Sequence, residues 1–154
     1  MDVEIVDFPE TKVAVIEHHG SPALEHESVK KLIAWRIENK LLPSDIHRSY
    51  GIHYNDPHKV PPSEYRVDLC ISLQQEVPEN RYGVLNKVIP VLRCAKKRHY
   101  GSRKNITAAQ YLYEQWLPDS GVQTTEFPIF FHYVNVGPQV QESDMITDVY
   151  LPVF

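Results

Sequence analysis

Eight histidines, two cysteines and a set of large aromatic rings are the side chains in this 154-residue sequence whose types and spacing invite chemistry. The histidines raise metal binding first. His18 and His19 are adjacent, so in a strand they point to opposite faces and cannot share an ion. Neither a Cys-x-x-Cys nor a His-Glu-x-x-His spacing occurs, and no metal or other cofactor is expected. No Gly-x-Ser-x-Gly elbow is present for a serine nucleophile. Cys70 falls on the non-core side of an alternating run and Cys94 lies in an apolar one, so both read as inert packing. With only 6 glycines, the chain has no phosphate cradle. What remains is Tyr54, Phe131, Tyr133 and Tyr150, with Trp35 and Trp116. Phe131 and Tyr133 share a face of their strand by period-two alternation, and an aromatic slot suits a flat or cationic organic ligand. The alternative is that these rings form core. Trp116, on the apolar side of its helix, fits that better.

The elements that must position these residues come in two similar sets. His18-His19-Gly20-Ser21 returns as His99-Tyr100-Gly101-Ser102, and Trp35 returns as Trp116, each 81 residues later. His53-Tyr54 matches His132-Tyr133, which makes Tyr54 the counterpart of Tyr133, and Asp68 matches Asp148. Four marks in one order and at nearly one spacing imply a single domain, 1–154, built from internal repeats of about 1–76 and 80–154. Two copies of one folding unit are expected to pack about a pseudo-twofold axis, with a ligand at their seam.

In the first copy Val13–Ile16 reads as a strand. Ser21 is an N-cap and Pro22 the first helical residue. Val29, Leu32, Ile33, Ile37 and Leu41 form an apolar helical stripe that ends before Pro43, and Trp35 lies off that stripe. Strands follow at Tyr50–Tyr54 and over Arg66–Leu73, where alternation predicts a half-buried strand. In the second copy Val88–Ala95 reads as one strand broken by Pro90. Thr107 and Gln110 make a capping box, and Pro118 with Gly121 ends a helix carrying Ala108, Tyr111, Leu112 and Trp116. Pro128–Val134 is a strand, and in the last one Val149, Leu151 and Val153 face away from Asp148 and Tyr150. Each half thus reads as strand–helix–strand–strand, and the class is α+β, with antiparallel sheets carrying helices on one face.

A net charge of −4 and a pI near 6.0 argue against direct nucleic-acid binding by phosphate neutralisation. The basic run Arg93–Lys104 reads as a solvated edge strand and loop. The acidic start is no signal peptide, and no apolar run approaches the ~20 residues of a membrane span. A cytoplasmic protein with reduced thiols is expected.

The ordered set of motifs resembles the gyrase-inhibitor-like effector-binding domain, which also occurs fused to AraC-type and MerR-type transcription regulators. The matching residues are His18-His19-Gly20, Tyr54-Asn55-Asp56-Pro57, Pro61-Pro62-Ser63-Glu64 with Arg66, and Asp68-Leu69-Cys70-Ile71. The second half matches at Trp116-Leu117-Pro118-Asp119-Ser120-Gly121, Pro128-Ile129-Phe130 with Tyr133, and Asp148-Val149-Tyr150-Leu151-Pro152. The resemblance spans essentially the whole chain. It implies a tandem pseudo-twofold repeat of two strand–helix–strand–strand modules with antiparallel sheets around a central cleft, and binding there of small amphipathic, often cationic, drug-like organic molecules. It implies the stand-alone form, since no room remains for a helix-turn-helix before Val13.

One position departs from the family pattern. Phe131 replaces the glutamate of Phe-Glu-x-Tyr, and a carboxylate there would attract a cation. Glu126, ahead of the strand, and Asp148, on the non-core side of the last one, are the substitutes the resemblance suggests. The ligand-contacting set expected is therefore Glu126, Phe131, Tyr133, Tyr54, Trp35, Trp116, Tyr150 and Asp148. Two other functions stay open by analogy with relatives. One is inhibition of a protein partner, DNA gyrase, or signalling to a separate DNA-binding protein. The other is hydrolysis of reactive xenobiotics with Glu126 as general base. Exposed sheet edges leave room for a homodimer.

Overall fold

A computed structural model describes residues 2–154. In chain order the elements are β1 (Glu4–Phe8), β2 (Thr11–His19), α1 (Glu25–Glu38), β3 (Ser49–His53), β4 (Arg66–Ser72), β5 (Leu85–Ile89) and β6 (Leu92–Tyr100). Then come α2 (Thr107–Tyr111), a π-turn (Leu112–Trp116), α3 (Leu117–Ser120), β7 (Phe130–Tyr133) and β8 (Ile146–Pro152). The chain forms two compact units, one of residues 11–89 and one of 2–10 with 90–154. The class is α+β, and all strand pairing within each unit is antiparallel. The first unit orders its strands β3-β4-β2-β5, and the second β7-β8-β6-β1. Each is strand–helix–strand–strand plus one edge strand. Among the described residues no helix is long and apolar enough to cross a membrane.

The edge strands are exchanged between repeats. The expected single strand Val88–Ala95 is two, and Pro90 separates them. Lys12 pairs with Val88 on β5, whereas Cys94 on β6 pairs with Val6 of β1. Pro90 cannot donate to a ladder, so the chain leaves the first unit's ladder there and enters the second's. The basic run accordingly lies on an interior strand rather than at an edge, because β6 pairs with both β1 and β8. Lys97 within it is buried, its ammonium 5.0 Å from the centroid of the Tyr111 ring.

Ser21 and Pro22 open the helical segment as read, but as a 3-10 turn, Pro22–Leu24, that leads into α1 at Glu25. The Ser21 hydroxyl accepts a bond from the Ala23 N–H, and Pro22 opens the first turn. Its buried face is not the expected stripe. Trp35 is 3% exposed in a core with Leu32, Leu41, Ile16, Val67, Leu69 and Ile71, while Ile33 and Ile37 are 48% and 66% exposed. At about 100° per residue, Leu32 with Trp35 and Leu32 with Ile33 cannot both centre the face. The larger indole decides, because its burial removes more apolar area from water. Arg36 is buried beside it, its guanidinium satisfied by Leu41 O, His47 O and Ser49 Oγ at 2.9, 3.2 and 2.9 Å. In the second unit the Thr107–Gln110 capping box does not form. Ile106 holds the N-cap position, the Thr107 hydroxyl faces His99, and Gln110 donates to Glu114. Pro118 lies inside the helix, directly after the π-turn that accommodates its missing N–H, and Gly121 at φ 74° ends it. Strand β4 is buried on both faces rather than one.

His18 and His99 are struts of the turns, one per repeat. Nε2 donates to Ser21 O in one and Ser102 O in the other, at 3.0 Å in each. Nδ1 faces Ser28 Oγ at 2.8 Å and Thr107 Oγ1 at 3.5 Å, respectively. Among the described residues no group of three His, Cys, Asp or Glu could hold a metal. His18→Leu is expected to lower stability by about 1–3 kcal/mol, since it removes two part-buried bonds, Nε2 to Ser21 O and Nδ1 to Ser28 Oγ. Urea denaturation with and without chelator checks both points: the loss should appear, and chelator should leave the parent protein unchanged.

Candidate functional site

In each unit the helix covers one face of the sheet. Ala14, Ile16, Val67, Leu69 and Ile71 pack under α1, while Ala95, Phe131, Val149 and Leu151 pack under α2. By alternation the opposite, helix-free faces carry Glu17, Arg66, Asp68 and Cys70 in the first unit, and Lys96, Arg98, Asp148 and Tyr150 in the second. The charged groups concentrate on these faces.

In the first unit Asp68 is fully buried, with its Oδ2 accepting from Tyr54 Oη at 2.7 Å and Lys87 Nζ at 2.9 Å. Lys87 also donates to Glu17 Oε2 at 2.6 Å, which Arg66 Nη2 reaches at 3.3 Å. The Arg66 guanidinium lies 4.0 Å from the centroid of the Tyr54 ring. Burial and the bond to Asp68 push the Tyr54 hydroxyl up to about 12. The Lys87 hydrogen bond holds Glu17 below the usual carboxylate range. Two carboxylates meet two cations, and the cluster is internally neutral.

In the second unit Asp148 is opposed by Arg98 on β6 and His132 on β7. Arg98 grips it with both branches of its fork, Nε to Oδ1 at 2.8 Å and Nη2 to Oδ2 at 3.1 Å. Lys96 Nζ lies 3.7 Å from Oδ2. Burial alone would raise the Asp148 carboxyl, but Arg98, Lys96 and His132 outweigh it and hold it below its ordinary value. Beside this group Phe130 and Tyr150 stack at 5.0 Å, and Phe8 of β1 meets them edge-on at 4.9 and 5.3 Å.

The eight residues expected to contact a ligand are divided by these positions. Asp148 and Tyr150 share a helix-free face. Phe131, Tyr133 and Trp116 lie on the other side, in the core under the second unit's helix. Trp35 is core in the first unit, which corrects its placement off the apolar face. Tyr54 is joined to Asp68, and Glu126 is exposed ahead of β7. The register also corrects two pairings. His53 opposes Val67 and Tyr133 opposes Thr147, so His53, not Tyr54, is the counterpart of Tyr133. Ile52 opposes Asp68 as His132 opposes Asp148, so Ile52 and not His53 matches His132. Sequence reading missed Glu17, Arg66, Lys87, Lys96 and Arg98. The available signal was the charged residues that interrupt apolar strand runs at the register of the two aspartates.

The model of the GyrI-like small molecule binding domain matches residues 1–153. The chain is 39% identical over 154 residues to a protein of Escherichia coli (strain K12) named probable transcriptional regulator YgiV, covering 99% of this chain and 96% of that protein. It is 31% identical over 157 residues to a DNA gyrase inhibitor of Erwinia billingiae (strain Eb661), covering 99% and 97%. Among solved structures, the C-terminal domain of EcmrR matches with a TM-score of 0.79 at 15% identity, over 99% of this chain and 97% of that one. In the EcmrR–DNA complex the same region is 57% of the longer EcmrR chain. The motifs, the repeated strand–helix–strand–strand units and a match that leaves out one residue together assign this chain to the GyrI-like small molecule binding domain family.

Proposed function

We propose that this chain is a binding module for an amphipathic organic molecule, and that occupancy is its output rather than chemical turnover. The whole-length family match carries the reading. The site chemistry supports it, because polar groups buried beside stacked rings give a ligand both orientation and apolar area. Covalent catalysis gains no support from the thiols: burial raises Cys70 well above its ordinary value and Cys94 to about 12, so neither is a thiolate at neutral pH. The regulator name of the E. coli relative supports a sensing role in which the bound state is passed to a partner.

Thermal unfolding and tryptophan quenching against neutral, cationic and anionic amphipaths test this. Trp35 is core and Trp116 is half-buried on the helix side, so the thermal shift is the deciding readout. A true ligand at one hundred times its Kd should raise Tm by roughly 5–10 °C. No shift across all three classes would overturn the proposal. The second reading, inhibition of DNA gyrase, is favoured by the name of the Erwinia billingiae relative. A supercoiling assay titrated with this protein decides it: unchanged supercoiling at tenfold molar excess excludes inhibition.

A further inference from the structure

We propose that the ligand of this module is an amphipathic anion, and that Arg98 and Lys96 select it. The inference rests on the binding function proposed above and concerns the charge of the guest. A buried carboxylate recruits a cationic guest only if the protein has not already neutralised it. Every buried or half-buried acid described on the two helix-free faces is neutralised. Glu17 and Asp68 share Lys87, with Arg66 on Glu17 and the Tyr54 hydroxyl on Asp68.

Asp148 is more than neutralised. The Arg98 fork occupies both its oxygens, and Lys96 stands as a second cation 3.7 Å away. His132 faces it from β7. Glu4, opposite Lys96 on β1, is exposed at the sheet edge and holds no ion pair among the described residues. The acid is sealed while its partners are not: the Asp148 side chain is 4% exposed, against 42% for Arg98 and 27% for Lys96. What this face offers a guest is therefore two cationic ends, with Lys96 also 5.8 Å from the centroid of the Tyr150 ring. A carboxylate or sulfonate would meet Arg98 and Lys96, and its apolar body would lie towards Tyr150. Arg98 occupies the position that Glu17 holds in the other repeat, since each opposes the equivalent aspartate. The two faces share the aspartate and differ in charge around it: Glu17 against Arg98, Val15 against Lys96, and Lys87 against Val6.

The matched pair tetraphenylborate and tetraphenylphosphonium tests the sign of the guest, since the two ions are nearly equal in shape and opposite in charge. Binding is measured calorimetrically on the intact protein in about 0.15 M salt, where the screening length of about 8 Å suppresses the overall negative field. The expected result is at least tenfold tighter binding of the borate, weakened at least fivefold by Lys96→Gln. That variant keeps the Arg98–Asp148 pair and so the fold. Arg98→Gln should go further and bring the phosphonium to at least equal affinity, because it uncovers Asp148. Tighter binding of the phosphonium to the parent protein would overturn the anion inference and leave the binding function standing. Borate binding unchanged in both variants would overturn the assignment of Lys96 and Arg98. Binding of neither ion, with no thermal shift from neutral amphipaths, would overturn the binding function itself.

Discussion

Lys87→Met is expected to destabilise the protein by about 2–4 kcal/mol. Breaking a buried ion pair by removing one partner costs about 3–5 kcal/mol, because the other charge is left in low dielectric. Here the stranded charge is Asp68, whose side chain is 0% exposed, and the estimate is lowered because Lys87 is 29% exposed. Lys87 is also the single cation that touches both acids of the cluster, at 2.9 Å to Asp68 and 2.6 Å to Glu17. Its location gives the loss a direction. Lys87 lies on β5, the edge strand that the first unit receives across the repeat boundary, and its ion pairs pin that strand to β2 and β4. The corresponding position on β1 is Val6, and that edge strand is held instead by Phe8 packing on Phe130 and Tyr150. Urea denaturation gives the magnitude, and amide exchange should show protection lost first along the β2–β5 ladder. The double variant Lys87→Met with Asp68→Asn should be less destabilised than Lys87→Met alone, since the remaining group is then neutral. A single variant within 0.5 kcal/mol of the parent protein would mean that the triad does not hold the strand.

The sequence made the repeat legible and hid the exchange. The Gly-Ser turns after His18 and His99, the Ser21–Pro22 start of the turn that leads into α1 and the alternation of Val149, Leu151 and Val153 each have a local physical cause, and each is found in place. Which sheet a strand joins has no local cause. β1 and β5 are short, mixed in polarity and separated from their partners by about half the chain, and only pairing with β6 and β2 makes them strands. Trp35 was misplaced because hydrophobic periodicity weighs Ile33 and Ile37 equally with it, whereas packing favours the larger ring. The loop clasps show the same limit. Asn55 bonds Glu64 O and the Arg66 N–H, and Asn135 bonds Asp144 O and the Ile146 N–H, in matching fashion. A repeat search keyed to rare residues passes over asparagines in turns, where they are common. The site was half legible. Asp148 and Tyr150 could be assigned to one face by alternation, but their neutralising partners come from β6, some 50 residues distant, and no local spacing pairs Arg98 with Asp148.

Acidification from pH 7.5 to 4.5 should cost the folded state about 2–3 kcal/mol, and most of that loss should disappear in His53→Gln. Burial lowers the His53 imidazole from 6.5 to about 4, and its Nε2 is sealed from water. The unfolded chain therefore takes up a proton at His53 near pH 6.5, while the folded chain refuses it until near pH 4. In that window the unfolded state binds more protons, so stability falls as pH falls, by up to about 1.4 kcal/mol per pH unit. The full contribution is present above 6.5 and lost by about 4. Glu17 and Asp148 are depressed carboxylates, so their contributions are present above their ordinary values of 4.5 and 3.8 and vanish only in stronger acid. The two effects separate on the pH axis, which makes the variant informative. His53→Gln replaces the ring with a group that does not titrate, and its stability should be flat between pH 6.5 and 4.5 before falling with the parent protein below 4. Urea midpoints at four pH values would resolve this. Parallel curves for the two proteins across that window would show that His53 exchanges its proton as freely folded as unfolded.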